Sequence, residues 1–245
     1  MKMRELRGLT AVVTGASSGL GWATALAMAG EGMRLVVTAR REERLRELVA
    51  EIERAGGEAE WVAGDAGEEA TARAVVEVAE ERFGGVEVLV ANAGMGNYKK
   101  LVETSVEEYD ELMRVNMRSS FVFARAVVEG MVRRRSGTMV FVSSVAGLAG
   151  AANEAVYAAT KFAQVGFAQS LGEELRGYGV KVLAFCPGGM KSEFAVGRGR
   201  TAEGVAGSRM MEAAEAAEAI VFACRQPKNV RVTQMVLRHM GEPFG

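Results

Sequence analysis

Ala11-Val12-Val13-Thr14-Gly15-Ala16-Ser17-Ser18-Gly19-Leu20-Gly21 is the stretch from which the architecture of this chain can be read. Residues suited to a buried strand run straight into three glycines spaced Gly-x-x-x-Gly-x-Gly, and an apolar helical pattern follows. A strand that turns directly into a helix leaves the first N–H groups of that helix unpaired, and with the helix dipole they attract phosphate. Each glycine has a use there: Gly15 permits the tight turn, Gly19 lets a phosphate approach the backbone, and Gly21 lets the helix pack on the sheet. The spacing is not the Gly-x-Gly-x-x-Gly of the general dinucleotide fingerprint. The expectation rests instead on position, strand-terminal and helix-initial, with Ser17, Ser18 and Leu20 completing the turn.

Outward from this turn, apolar runs at 34–39, 58–63, 86–91, 137–143, 180–185 and 231–237 read as six further strands. Segments 42–55, 69–83, 106–135 and 155–176 read as helices between them. Alternating β and α with Val-rich, continuously apolar strands predicts an α/β fold, a doubly wound parallel seven-stranded sheet with helices on both faces. With 245 residues, 49% hydrophobic and 25% charged, and no linker or repeat, the chain reads as a single domain over 1–245. A formal net charge of −1 gives no basic field for nucleic acid, and no apolar run nears the roughly 18 residues needed to cross a bilayer. The charged N-terminus through Arg7 precedes no secretory segment, so a cytoplasmic location is expected. Cys186, Cys224 and the single histidine His239 are too few for a disulfide framework, a metal site or a His-based triad. The Arg133-Arg134-Arg135 run closes a helix, where cations suit the dipole.

The chemistry-bearing stretch is Tyr157-Ala-Ala-Thr-Lys161, which places a phenol and an amine at i and i+4 on one helix face. A phenol with a reference pKa of about 10 is a poor acid or base near neutrality, and a nearby cation favours its ionised form. Upstream, the run Met139-Val140-Phe141-Val142 ends at Ser143-Ser144, so a strand end presents Ser144 at a crevice. Asn92-Ala93-Gly94 ends another strand, and Asn116 stands inside a helix.

Together, Thr14-Gly15 through Gly21, Asp65, Asn92-Ala93-Gly94, Asn116, Ser144, Tyr157 with Lys161, and Pro187-Gly188 occur in an order that resembles the short-chain dehydrogenase/reductase family over nearly the whole chain. The resemblance implies a Rossmann-like dinucleotide domain with Tyr157 as general acid/base. Lys161 would lower its pKa and hold the nicotinamide ribose, and Ser144 would orient the substrate oxygen. Asn116 would help hold a water-linked proton path behind Lys161. Asp65 and Ala66 would meet the adenine, although Asp65 also suits a helix N-cap with Glu68 three residues on. Asn92, Ala93 and Gly94 would lie against the adenine ribose, and Pro187, Gly188, Met190 and Ser192 at the nicotinamide end. Thr160 stands where Ser is usual, a change expected to be neutral.

Cofactor choice turns on Ala39-Arg40-Arg41 after the second strand. A carboxylate there would accept from the ribose hydroxyls and repel a 2′-phosphate; Arg40 can bind that phosphate, so NADP(H) is expected over NAD(H). The substrate side is set by Ala146, Leu148, Asn153 and Glu154, then by the segment from Gly189 to Phe194. Leu148, Met190 and Phe194 are expected to form an apolar wall, and the Gly-rich stretch 195–208 reads as a mobile lid within about 189–210. Arg198, Arg200 and Arg209 would meet a carboxylate or phosphate if that lid closes inward. The expected activity is interconversion of a secondary alcohol, including a hydroxy acid, and a ketone. One alternative is a 3-oxoacyl carrier-protein reductase, disfavoured because the C-terminal stretch 230–239 lacks its Thr-Gly and Asp-Gly-Gly elements; the other is a non-catalytic dinucleotide sensor, which requires decay of the reactive residues. Apolar faces on 106–135 and on the Tyr157 helix, including Phe162, Val165, Phe167 and Leu171, suggest a homodimer or homotetramer, as in the family.

Overall fold

The computed structural model describes residues 3–242. Seven strands form one parallel sheet: β1 (Thr10–Thr14), β2 (Arg34–Ala39), β3 (Glu58–Ala63), β4 (Val88–Ala91), β5 (Gly137–Val142), β6 (Val180–Pro187) and β9 (Gln234–Leu237). Their order is β3-β2-β1-β4-β5-β6-β9. The chain first winds one way from β1 to β3 and then, from β4, the other way, so the crevice lies at the carboxyl ends of β1 and β4, where such sheets bind ligands. Two-residue strands β7 (Met190–Lys191) and β8 (Met211–Glu212) make a separate small pair beyond β6.

Alternation along the strands feeds two cores. Ala11 and Val13 of β1, with Leu35 and Val37 of β2, pack with helices α1 (Gly19–Gly30), α2 (Glu42–Arg54) and α8 (Ala213–Cys224). Val12 and Val36 point the other way, toward α3 (Glu69–Phe83), α5 (Ser119–Arg134) and α6 (Ala155–Leu175). Because both faces are covered, the strands read as continuous apolar runs.

The long helix expected over 106–135 is in fact three pieces: α4 (Val106–Leu112), a π-helical turn at Met113–Arg118, and α5. The π turn carries Asn116 into the interior, where it is fully buried. Periodicity did not reveal this, because a single short π turn is too brief to show a pattern of its own. Val165 belongs to the core rather than to an outer face, whereas Phe121 and Phe162 remain 44% and 46% exposed. Segment 195–208 is hydrogen-bonded rather than featureless. Ala195 accepts from Arg198 and Arg200, Tyr98 donates to the Arg198 carbonyl, and Thr201 caps the single-turn α7 (Ala202–Ala206).

Candidate active site

A cavity of about 810 Å³ runs along the carboxyl edge of the sheet, from the glycine turn to the loop after β6. At one end the turn is too tight for side chains. A Cβ on Gly21 would lie 2.4 Å from the Gly15 carbonyl oxygen, and one on Gly15, whose φ is +66°, 2.8 Å from Ala93 Cα. Asn92 locks this corner by donating through Nδ2 to the Thr14 carbonyl at 2.9 Å, while the Thr14 hydroxyl accepts from the N–H groups of Asn92 and Ala93. Ser17, Ser18, Gly19 and Leu20 line the cavity where α1 begins, with no acidic residue in the first turn to oppose an anion.

Two guanidinium groups flank the turn. Arg40 lines the cavity, and its charge acts on Asp65. Arg41, which the sequence reading did not assign to the site, donates from Nε to Ser17 Oγ and from Nη2 to the Ser17 carbonyl, both at 3.2 Å, and pairs with Glu193 at 2.9 Å. Asp65 lies past the end of β3 and does not cap α3, whose N-cap is Glu68. Its carboxylate accepts instead from the Gly67 N–H and from Arg114, each at 2.8 Å. Burial pushes Asp65 up, but these contacts and the charges of Arg114 and Arg40 outweigh it and hold the carboxyl below the usual range. Ala66, Asn92, Ala93 and Gly94 also line the cavity.

At the middle, β5 delivers Ser144 to the N-cap of a short 3₁₀ turn, Val145–Gly147, where its hydroxyl accepts from the Ala146 N–H. Helix α6 presents Tyr157 and Lys161, both almost fully buried. Burial raises the Tyr157 phenol above its ordinary pKa, the nearby Tyr98 adds to that, and the Ser144 hydrogen bond pulls only partly back. Lys161 Nζ sits 5.7 Å from the Tyr157 ring centroid and donates to the Val142 carbonyl and to Gln164 Oε1, each at 2.9 Å. Burial pushes this amine down to about 7. Lys161 therefore stands beside a phenol whose resting form is neutral, which differs from the expectation of a depressed tyrosine pKa.

Behind this pair the Asn116 side chain accepts from the Met95 N–H and donates to the Met95 carbonyl and to Thr160 Oγ1. Thr160 in turn donates to the Tyr157 carbonyl, so its hydroxyl ties α6 to the π turn. Gln164, unassigned by the sequence reading, joins Lys161 to the Asn116 carbonyl.

At the far end, Ala146, Glu154, Tyr157, Pro187, Gly188, Met190, Ser192 and Phe194 line the cavity. Leu148 and Asn153 do not. Leu148 follows the 3₁₀ turn back onto the core, and Asn153, in left-handed backbone at φ +65°, is exposed just before α6. The Tyr98 ring meets Tyr157 edge-on at 5.6 Å, and Phe194 lies 6.0 Å away on another side. The Arg200 guanidinium sits over both, 5.2 Å from the Tyr98 centroid and 5.9 Å from that of Phe194. Glu154, expected on the substrate side, does line the cavity; its carboxyl is pushed up by burial and drawn down by Arg200. Arg198 lines the cavity too but is paired there with Glu111 at 3.3 Å. Glu242 adds a carboxylate over Gly188 and accepts from the Gly189 N–H. Among the described residues no group of His, Cys, Asp and Glu could hold a metal, and no helix is long and apolar enough to cross a membrane.

With this geometry in hand, comparison with known proteins is specific. Residues 9–203 match the family model for short chain dehydrogenase, and the chain belongs to that family of oxidoreductases. An uncharacterized oxidoreductase of Thermotoga maritima is 36% identical over 189 residues, covering 77% of this chain and 74% of the relative. The chain is similar in structure to the alcohol dehydrogenase of the archaeon Thermococcus sibiricus complexed with 5-hydroxy-NADP, with TM-score 0.87 and 29% identity over 96% of this chain and 98% of that one. It is likewise similar to the closed form of a serine dehydrogenase complexed with NADP+, with TM-score 0.90 and 26% identity over 96% and 97% of the two chains.

Proposed function

We propose that this protein is an NADP-dependent oxidoreductase that interconverts a ketone and a secondary alcohol, with Tyr157 moving the proton. The observation that carries this reading is that one cavity joins a glycine turn at a helix N-terminus to a buried Ser144–Tyr157–Lys161 group. The residues present suit a dinucleotide. The turn leaves no room for a Cβ at Gly15 or Gly21, unpaired helix N–H groups and Ser18 stand ready for a pyrophosphate, and Asn92, Ala93 and Gly94 form a flat wall beside it. Pro187, Gly188, Met190 and Ser192 would hold the nicotinamide end. When bound, that cofactor supplies the hydride to the carbonyl carbon, or accepts it in reverse.

The chain's own residues do the rest. Ser144 orients the carbonyl oxygen toward Tyr157, whose phenol, protonated near neutrality, donates to the oxygen as negative charge develops there. Lys161 contributes its positive charge and a ribose contact. The family's solved relatives named above were complexed with NADP+ or a hydroxylated NADP, in keeping with two arginines and no carboxylate at positions 40 and 41.

Arg40 makes no side-chain hydrogen bond among the described residues, which leaves its fork for a 2′-phosphate. Arg41 is anchored by Ser17 and Glu193 and adds a second positive charge. A charge-assisted contact worth about 1.5–3 kcal/mol makes Arg40→Ala roughly ten- to a hundredfold weaker for NADPH in fluorescence titration, with NADH little changed. Equal losses for both cofactors would contradict the assignment.

Arg200 extends the reading to the substrate. Stacked on Tyr98 and Phe194, it has no acid within ion-pair distance among the described residues, and its in-plane N–H groups remain available to a carboxylate. A hydroxy or oxo acid would thus be held with its reacting carbon near Tyr157. Arg200→Met should raise KM for an oxo acid by about ten- to a hundredfold and leave the corresponding methyl ester nearly unaffected. Equal effects on acid and ester would remove the carboxylate from the account. The half-exposed Phe121 and Phe162 on α5 and α6 supply a face that a second copy of the chain would cover.

A further inference from the structure

Gln164 stands three residues beyond Lys161 on α6, with no exposed surface at all. A buried primary amide must satisfy two donors and one acceptor, and here every neighbour fixes which end is which. Oε1 accepts from Lys161 Nζ at 2.9 Å. Nε2 donates to the Asn116 carbonyl at 2.9 Å and to Ser120 Oγ at 2.8 Å. Turning the amide over would face its NH₂ toward an amine and its carbonyl toward another carbonyl, losing both of those contacts. The Asn116 carbonyl is reachable because it lies in the π turn, where it also accepts from the Ser120 hydroxyl.

We infer that Gln164 is a positioning residue for the reaction: its amide carbonyl holds the Lys161 amine in place, and its amide spans the gap to Asn116 that a relay water would otherwise bridge. This rests on the roles proposed for Tyr157 and Lys161. A water between the amine and the Asn116 carbonyl passes protons by exchanging which hydrogen it donates. A carboxamide does so only by taking a proton on oxygen and releasing one from nitrogen, through an unstable imidic acid. The link therefore fixes the amine rather than draining its proton, and Tyr157 is resupplied from the cavity side.

The titratable groups facing the Lys161 amine are the Tyr157 phenol on its own helix and the Cys186 thiol on β6. Burial keeps both protonated around neutrality, with Cys186 pushed up to about 11. No carboxylate is among the groups acting on the amine, so the dipole of the Gln164 carbonyl is a principal support for its charge.

The test is the pH dependence of unfolding free energy, measured with urea across about pH 6 to 9. Lys161 is more basic unfolded than folded, so the unfolded chain binds more protons above pH 7 and parent stability should gain from this group as pH rises through that window. Gln164→Leu removes the acceptor, lowers the folded pKa and starts the gain at lower pH. Gln164→Glu, nearly isosteric, raises the folded pKa by about one unit or more and shrinks the gain. The Gln164→Leu shift should vanish when Lys161→Met is added, because leucine brings no titratable group of its own. Loss of stability that is uniform with pH and unchanged by Lys161→Met would mark Gln164 as packing alone and overturn the inference. In turnover, the alkaline limb of kcat/KM for ketone reduction should move down for Gln164→Leu and up for Gln164→Glu; an unmoved limb would also overturn it. Should the parent reduce no ketone, the proposed activity fails, while the unfolding series still decides whether the amide holds the amine.

Discussion

Replacing Tyr157 with Phe is expected to lower kcat for ketone reduction by about a hundred- to ten-thousandfold, the range that positioned acid–base groups supply. NADPH affinity should change little, because the substitution removes one hydroxyl and keeps the ring that packs against Tyr98 and Phe194. The direction of the reaction sharpens the expectation. Burial favours the neutral phenol, which is the donor form, so reduction should run at neutral pH, whereas oxidation of the alcohol, which needs the phenolate, should rise as the solution becomes alkaline. Parallel pH profiles in the two directions, or a Phe variant that keeps a large part of kcat, would contradict the role given to Tyr157.

The second large effect belongs to Lys161→Met. It should reduce kcat as severely as the Tyr157 change and, unlike that change, weaken NADPH binding by roughly ten- to a hundredfold, the range expected for a charge-assisted contact. Methionine keeps an unbranched side chain of similar length at this buried position of α6, so circular dichroism should report a folded protein. A variant that binds NADPH with parental affinity would show that the amine does not reach the ribose. The Val142 carbonyl and Gln164 Oε1, which now accept from Nζ, lose their donor. Some loss of stability is therefore expected above pH 7, where the parent amine is neutral and costs little to bury.

Features decided by short stretches were legible in the sequence. The glycine turn, its strand and its helix are contiguous, and the i, i+4 relation of Tyr157 and Lys161 is fixed by helix geometry alone. The doubly wound parallel seven-stranded sheet was legible because parallel strands linked by helices have few ways to wind. What escaped depends on distant backbone. Gln164 looks like any polar residue in a helix until the π turn brings the Asn116 carbonyl against it. Arg41 reads as the start of a solvated helix until the glycine turn folds under it, and nothing local to Asp65 shows that Arg114 from the π turn takes its carboxylate. Leu148 and Asn153 were placed at the cavity by their nearness to Ser144 and Tyr157 in sequence, but the 3₁₀ turn after Ser144 carries the chain away before it returns at Glu154. A hint of Gln164 was present all the same: it is a polar residue at i+3 from Lys161, on the face that the helix buries.

The central claim, that this cavity turns over rather than merely holds a dinucleotide, is tested most directly by NADPH absorbance with a panel of small ketones and oxo acids. The account predicts consumption of NADPH with at least one of them, faster for oxo acids than for their esters, and abolished in Tyr157→Phe. Tight NADPH binding with no consumption across the panel would contradict it and favour a dinucleotide sensor.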